Sequence, residues 1–447
     1  MTLSLENIDI HTPQRYAKKG FPWEEWDLLR RDAPIFWYER DDIEPFWAVT
    51  RHADVLTISG LPEVFINGGP RLRLALKGEA ELLRGGLDEF GTSRGWDPTE
   101  PPDLVFMDNP RHRHVRKASS WAFTQGCMRG MVSHFDDLAE GFAAELTESA
   151  KAATQRGETC DFVHEFACKL PLAAVGEIME LPPDDWRKLL IWSNAIIGEV
   201  EPAQILEGET IAQAAERNMN EFRSYLEDLV QAHRVPSGGP SNFVNRLVNA
   251  RVQGEPMNDQ QLIGYLFVLI GAGNDTTRNA TAGGFAALVE HPDQRDRLIE
   301  HPDLLPTAVD EILRWTTPVI SFLRTATRDF DLSGTKIREG ETVCMFYPSA
   351  NRDDAVFEDP YRFDIGRTPN EYLTFGYGAH FCIGTNLARA ELTSMMKALI
   401  PFLPEFELAG ESSRIANTHV SGYSKLPVRA ATLFRPLAGA PKRSTGL

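Results

Sequence analysis

The sequence of 447 residues contains few cysteines and no CxxC pair. Its five cysteines are scattered along the chain, at positions 127, 160, 168, 344 and 382. This usage excludes a disulfide framework and argues against a zinc site, because both need closely spaced sets of cysteines. Free thiols are typical of a reducing compartment, so we expect a cytoplasmic protein.

Long hydrophobic runs and an excess of positive charge are also lacking. The longest strongly apolar run, residues 265–270, falls far short of the roughly 20 residues that a membrane-spanning helix needs. The N-terminal segment resembles no export signal, so we expect no membrane anchor. With 46 basic and 64 acidic side chains the net charge is −18, a field that repels phosphate backbones and argues against a nucleic-acid partner.

No Ser/Gly linker, low-complexity tract or repeat divides the chain. We therefore predict one domain over residues 1–447, with an N-terminal arm at 1–20 and a C-terminal tail at 436–447. Hydrophobic periodicity predicts a mainly α, α+β fold, mostly helical from 110 to 310. The most distinct predicted helices lie at 22–31, 258–289, 306–315 and from 384 to about 401. Strands are predicted at 35–38, at 45–50 and after residue 318.

Two segments are predicted to be mobile lids. Residues 66–103 are irregular, and a loop that long inside a compact domain is usually functional. The segment 190–215 is expected to behave in the same way, because gating elements come from the least stable parts of a fold.

The strongest chemical signal is FGYGAHFCIG at residues 375–384. Gly376 and Gly378 allow a tight turn whose backbone approaches a flat group closely. Cys382 stands just before a predicted helix, where the N-terminal dipole and free N–H groups stabilise a thiolate. A lone cysteine in such a turn is more often just buried, but a thiolate held this way is also the axial ligand of haem oxygenases.

These ten residues resemble the haem-ligand loop FGxGxHxCxG of the cytochrome P-450 family at every fixed position. The resemblance covers about residues 20–430 and looks closest to the bacterial branch that oxidises sterol side chains, methyl-branched lipids and terpenoids. It implies the cytochrome P-450 fold, with haem b between the 258–289 helix and the helix after Cys382. It also implies that Cys382 ligates the iron and that Phe375 and Gly384 contact the haem.

The helix at 306–315 carries Glu311 and Arg314, which match the family's ExxR pair. An acid and a base three residues apart commonly form only a surface ion pair. Here, however, Glu311 lies 71 residues before Cys382, with a meander-like segment between them. The family's pair recruits a second arginine and supports the haem loop, and Arg362 and Arg367 both fit that third position.

The predicted helix at 258–289 contains AGNDTT at residues 272–277. Thr276 can turn its hydroxyl to the carbonyl of Ala272, which bends or opens a helix. By resemblance, Ala272 leaves room above the haem and Thr276 hydrogen-bonds oxygen as it is reduced. Asp275 is then implied to relay the protons that cleavage of dioxygen needs.

Positive partners for the haem propionates are implied by the same resemblance. His112 and Arg116, four residues apart, match the family's HxxxR, and Arg324 and His380 match the remaining contacts. A second basic set, Arg111, Arg113 and Lys117, is expected to lie on the thiolate side of the haem. We interpret this set as a docking patch for an acidic ferredoxin.

The implied function is a bacterial-type monooxygenase that converts RH, O2, two electrons and two protons into ROH and water. Because no segment resembles a fused flavin or ferredoxin domain, electrons are expected from a ferredoxin and its NAD(P)H-dependent reductase. The acid–alcohol pair argues against a peroxygenase, an isomerase or a non-catalytic haem or hydrophobe binder, although these alternatives stay open.

The expected substrate is hydrophobic, because the candidate lining residues are apolar and such cavities select ligands by shape. A steroid or a terpenoid is preferred, and an aromatic hydrocarbon or a fatty acid is the alternative. The candidate lining residues are Val268, Leu269, Val319, Ile320, Phe322 and Val420.

Overall fold

The computed structural model describes residues 3–69, 71, 73–78, 80, 103–196, 200, 204–234 and 243–431. The predicted tail at 436–447 and most of the predicted 66–103 loop lie outside these residues, as does part of the 190–215 segment.

The described chain is mainly helical. Its α-helices are α1 Pro13–Lys19, α2 Trp23–Asp32, α3 His52–Ser59, α4 Arg111–Ser119, α5 Gln125–Gln155, α6 Lys169–Ile178, α7 Trp186–Ile196, α8 Ile211–His233, α9 Phe243–Val248, α10 Asp259–Glu290, α11 Pro292–Glu300, α12 Leu305–Thr316, α13 Tyr347–Ala350 and α14 Thr385–Leu399. Within the described ranges, no helix combines the length and the apolar character needed to cross a membrane.

The strands are short and form one larger sheet and several small ones. They are β1 Ile35–Arg40, β2 Ile43–Val49, β3 Phe65–Ile66, β4 Cys160–Asp161, β5 Arg251–Val252, β6 Glu255–Pro256, β7 Ser321–Ala326, β8 Phe330–Leu332, β9 Thr335–Ile337, β10 Thr342–Phe346, β11 Phe406–Leu408, β12 Ser413–Arg414, β13 Tyr423–Lys425 and β14 Pro427–Ala430.

The five-stranded sheet has the order β1-β2-β10-β7-β3. Every residue of β10 is buried, as expected for a central apolar strand. Its Cys344 pairs with Ala48 of the parallel strand β2 and with Leu323 of the antiparallel strand β7. A three-stranded sheet, β11-β14-β4, lies on the helical side. The predicted α+β class is confirmed.

Helix α10 runs through the helical core and packs against α6, α12 and α14. It begins with a capping box in which Asn258 Oδ1 accepts from the Gln261 backbone N–H at 2.8 Å and Gln261 Oε1 accepts from the Asn258 N–H at 3.3 Å. Gly284 lets α12 approach closely, since a Cβ there would lie 2.6 Å from Ile312 Cγ2. The predicted helix at 258–289 is therefore confirmed within one residue at each end.

The other predicted elements lie close to their expected places. The helices predicted at 22–31 and 306–315 correspond to α2 and α12, and the two predicted strands correspond to β1 and β2. Helix α14 ends at Leu399, and the chain continues as a 3-10 helix to Glu405. Within the predicted N-terminal arm, Ile8, Ile10 and Tyr16 are buried against the sheet, so residues 8–16 belong to the core.

Candidate active site

The loop before α14 makes the tight turn that its two glycines predict. Gly376 and Gly378 have φ angles of 71° and 72°, in the left-handed region that favours glycine. A Cβ at Gly378 would lie 2.2 Å from the backbone oxygen of Ser59, so only glycine fits against α3. The Cys382 N–H donates to the Phe375 carbonyl at 2.9 Å and closes the turn.

The thiol of Cys382 faces a cavity just before α14, whose N-cap is Gly384. Burial raises the pKa of this thiol, and the Gly384 N–H, the Thr385 side chain and the charge of Arg116 oppose that shift only in part. The N–H groups at the start of α14 thus lower the thiol pKa as expected, although desolvation opposes them.

A fully buried ion pair lies behind this loop. Arg314 donates two hydrogen bonds of 2.8 Å to the Glu311 carboxylate, and its third nitrogen donates to the carbonyls of Asn351 and Pro360. Asn351 in turn accepts from the Leu373 N–H at 2.7 Å, and its amide donates to Thr374 at 3.1 Å. The pair is therefore joined to the chain directly before Phe375.

The third member of this cluster is Arg367. Its Nε lies 3.2 Å from Glu311 Oε2, whereas Arg362 is exposed and contributes its carbonyl oxygen to both arginines. Sequence reasoning missed Arg352, which is fully buried with its guanidinium 4.5 Å from the ring centre of Trp315. Its position in the meander-like segment was visible, but its stacking partners were not.

Helix α10 places Thr276 on the cavity wall, and its hydroxyl donates to the Ala272 carbonyl at 2.7 Å as expected. Asp275 is buried and does not line the cavity. Its carboxylate lies 3.5 Å from Arg278, which donates to Asn194 of α7 at 2.6 Å. Asp275 and Thr276 are thus adjacent in sequence, but Asp275 faces Arg278 whereas Thr276 faces the cavity.

The cavity holds about 1670 Å³ of space not filled by protein atoms, part of it open to solvent. Its wall includes Cys382, Phe375 and Gly384 on one side and Ala272 and Thr276 on the other. Four of the predicted apolar lining residues border it, namely Val268, Leu269, Val319 and Phe322.

Two predicted lining residues are not on this wall. Ile320 is fully buried in the core between the N-terminal segment and the sheet. Val420 is buried and pairs with Val319 through an isolated β-bridge.

Four nitrogen-bearing side chains converge at one edge of the cavity, which we call the cradle: His112, Arg116, Arg324 and His380. The two imidazole rings lie 4.0 Å apart between centres. Burial and the neighbouring arginines lower the pKa of His112 to about 4 and that of His380 to about 2. Both histidines are therefore neutral at pH 7, and the two arginines supply the positive charge.

Sequence reasoning also missed Glu391, a carboxyl on α14 that borders the cavity. It is 1% exposed, and burial raises its pKa to about 8, although the neighbouring Thr277 side chain opposes the shift. The protein therefore holds a protonated acid beside the cavity at neutral pH. The LARAEL pattern of α14 predicts a helix but not which face is buried.

The cradle and the cysteine loop fit a haem. One thiol faces the cavity, Gly376 borders it without a side chain, and the cradle offers paired cations at one edge. Nε2 of His112 is buried and has no hydrogen-bond partner among the described residues, so a polar partner is missing there. Fold and site together define a haem-thiolate enzyme.

Comparison with known proteins supports the same class of protein. The sequence profile described as cytochrome P-450 matches residues 55–415. The chain is 30% identical to linalool 8-monooxygenase of Pseudomonas putida, over 95% of this chain and 99% of that protein. It is 33% identical to steroid C26-monooxygenase of Mycobacterium bovis, over 93% and 90% respectively. A Mycobacterium marinum cytochrome P-450 in complex with pseudoionone superposes with a TM-score of 0.81 at 30% identity, over 96% and 99%.

The chain belongs to the cytochrome P-450 family and is a haem-dependent monooxygenase.

Replacing Gly378 by alanine should displace the cysteine loop, because the new Cβ meets the backbone oxygen of Ser59. We expect a loss of about 1–3 kcal/mol in stability and a smaller share of thiolate-ligated haem in the reduced carbon monoxide spectrum. Gly340→Ala is the control, since its φ is 83° but no atom lies within 4 Å of the added Cβ. Equal effects of the two substitutions would contradict the close contact.

Replacing Glu391 by glutamine should change how stability depends on pH. The carboxyl ionises near pH 4.5 in the unfolded chain but only near pH 8 when folded, so the free energy of unfolding falls as pH rises between these values. Glutamine does not titrate. The free energy of unfolding of the variant, relative to that of the native protein, should therefore rise by roughly a few kcal/mol between pH 5 and pH 8. Thermal unfolding against pH measures this gain. If the unfolding temperatures of the two proteins changed in parallel with pH, Glu391 would be ionised in the folded protein and its pKa would not be raised.

Proposed function

We propose that this enzyme hydroxylates a steroid or a terpenoid, with haem b as cofactor and a ferredoxin as electron donor. The observation that carries the proposal is the charge distribution of the cavity. Among the described lining residues, the guanidinium groups belong to the cradle, Glu391 is protonated at neutral pH, and Val268, Leu269 and Val319 give the wall an apolar part. Such a wall selects neutral hydrophobic molecules by shape.

The alternative substrate classes fit this wall less well. A fatty acid needs a cation or several N–H donors for its carboxylate, and within the described part of the wall Arg116 and Arg324 would be engaged by propionates. Two relatives carry names that refer to linalool and to a steroid, and a structural neighbour holds pseudoionone. These names support terpenoids and steroids over aromatic hydrocarbons.

When bound, the haem supplies the activation of dioxygen. The described side chains control its surroundings: Cys382 offers the sulfur ligand, and the small side chain of Ala272 leaves space above the cavity floor. The Thr276 hydroxyl now donates to the Ala272 carbonyl, and a rotation about its Cα–Cβ bond turns that donor into the cavity. Asp275, in contact with Arg278, is the nearest acid in sequence to reload the hydroxyl.

A spin-state titration of the ferric protein tests the substrate class. The panel contains a neutral steroid, an acyclic terpenoid, a fatty acid of similar carbon number and an aromatic hydrocarbon. We expect a low-to-high-spin shift with the steroid or the terpenoid at the lowest concentration. A shift that is strongest with the fatty acid would overturn the substrate proposal and leave the family assignment untouched.

The proposed ferredoxin site is the surface around α4 and the cysteine loop. Arg113 and Lys117 are exposed on α4, which contacts the loop through His112 and His380. Phe381, beside Cys382, is 42% exposed and adds an apolar contact. Exposed basic side chains fit an acidic partner and carry a charge opposite to the net −18.

Thr276→Ala should uncouple turnover. Without the hydroxyl, protons are delivered poorly, so we expect product per NADH to fall about 10-fold or more while peroxide release rises. Thr281→Ala is a matched control, because its hydroxyl makes the same bond to the carbonyl four residues earlier, at 2.8 Å, away from the cavity wall. Unchanged coupling in Thr276→Ala would remove the assigned role.

Reversing the charges of Arg113 and Lys117 to glutamate should slow reduction by the ferredoxin about 10-fold at low salt, with a smaller effect at high salt. The control reverses Arg328 and Arg338, two exposed residues that flank the β8–β9 region. Stopped-flow reduction rates compare the two double variants. Equal rates for both would place the docking surface elsewhere.

A further inference from the structure

The carboxamide of Asn67 lies between two groups of the active site. Asn67 follows β3 directly and borders the cavity. Its Nδ2 lies 3.2 Å from Asp108 Oδ1 and 2.7 Å from His380 Nε2. None of the roles assigned above involves Asn67.

The orientation of the amide follows from Asp108. A carboxylate only accepts hydrogen bonds, so the amide atom that contacts it must be the NH2 group and not the oxygen. The same carboxylate accepts from the backbone N–H groups of Asn67 at 2.9 Å and Gly68 at 2.8 Å. A Cβ at Gly68 would lie 3.0 Å from Asp108 Oδ2, so the chain has little room to move away.

The state of His380 follows from the amide. Nδ2 has a second N–H, and at 2.7 Å this donor needs a lone pair on His380 Nε2. The ring hydrogen must then sit on Nδ1, since an imidazolium or the opposite tautomer has no lone pair to offer at Nε2. The ring of His112, 4.0 Å away, packs against His380 and hinders a flip.

We propose that Asn67, held by Asp108, is a positioning residue that fixes His380 as its Nδ1–H tautomer. His380 then presents a hydrogen-bond donor, not a lone pair, to the cradle. A haem propionate is an acceptor, so the wrong tautomer would place two lone pairs against each other. This inference rests on the proposed haem site and adds to it a residue outside the motifs of the sequence.

The test is the tautomer of His380 in the reduced, carbon monoxide-bound holoprotein, which is diamagnetic. With 15N-labelled histidine, long-range proton–nitrogen spectra distinguish a protonated ring nitrogen from one with a lone pair, and His380→Asn assigns the signal. We expect a protonated Nδ1 and an unprotonated Nε2. A protonated Nε2 would overturn the proposal.

Two substitutions of Asn67 distinguish the effect of a lost donor on the His380 tautomer from the effect of an added negative charge. Asn67→Asp replaces the donor by an acceptor, so the hydrogen of His380 should move to Nε2. Asn67→Leu removes the donor without adding charge, so both tautomers should be populated. Asn220→Asp, at an exposed position on α8, is the control for the added charge. A pure Nδ1–H signal in both Asn67 variants would show that Asn67 does not set the tautomer.

Transfer of haem to apomyoglobin gives an independent readout. We expect haem loss to quicken about 10-fold in Asn67→Asp and severalfold in Asn67→Leu, with Asn220→Asp unchanged. Haem loss that is unchanged in both Asn67 variants would overturn the proposed role toward the propionate. If the native protein forms no thiolate-type carbonyl band, the proposed haem site fails; a normal band with the wrong tautomer refutes only the inference.

Discussion

The guanidinium of Arg314 lies in the protein interior with no access to water, and much of the structure behind the active site supplies its hydrogen-bond partners. Glu311 neutralises it through two parallel hydrogen bonds, and the carbonyls of the meander satisfy its remaining N–H groups. A buried charge left without its partner costs about 3–5 kcal/mol, so the loss of one partner alone would strongly destabilise the protein. Because Asn351 joins the same network to Thr374, the chain before the cysteine loop has one strongly preferred position.

Beyond that support, the cavity divides its charges between two ends. The cradle brings together two arginines and two neutral histidines, where an anionic edge of a cofactor would be held. Another part of the wall, formed by Val268 and Leu269, offers apolar surface. In the proposed function the cofactor would be bound by charge and hydrogen bonds, whereas the substrate would be selected by shape. The Thr276 hydroxyl and the Glu391 carboxyl also border the cavity.

Much of this arrangement was predictable from the sequence, and the failures have physical causes. The capping box at Asn258, the Thr276–Ala272 bond and the glycine turn depend on local geometry, so sequence spacing was sufficient to predict them. The choice between Arg362 and Arg367 depends on where a loop places two similar side chains. Burial also cannot be read locally, which is why the buried acid Glu391 was missed and Ile320 was wrongly placed on the cavity wall.

The central claim is that Cys382 supplies the sulfur ligand of a bound haem. The most direct measurement is the absorption spectrum of the reduced holoprotein with carbon monoxide. We predict the strongly red-shifted carbonyl band of a thiolate-bound haem in the native protein and its loss in Cys382→His, with haem still bound. An unshifted band in folded, haem-loaded native protein would contradict the claim and the monooxygenase mechanism built on it.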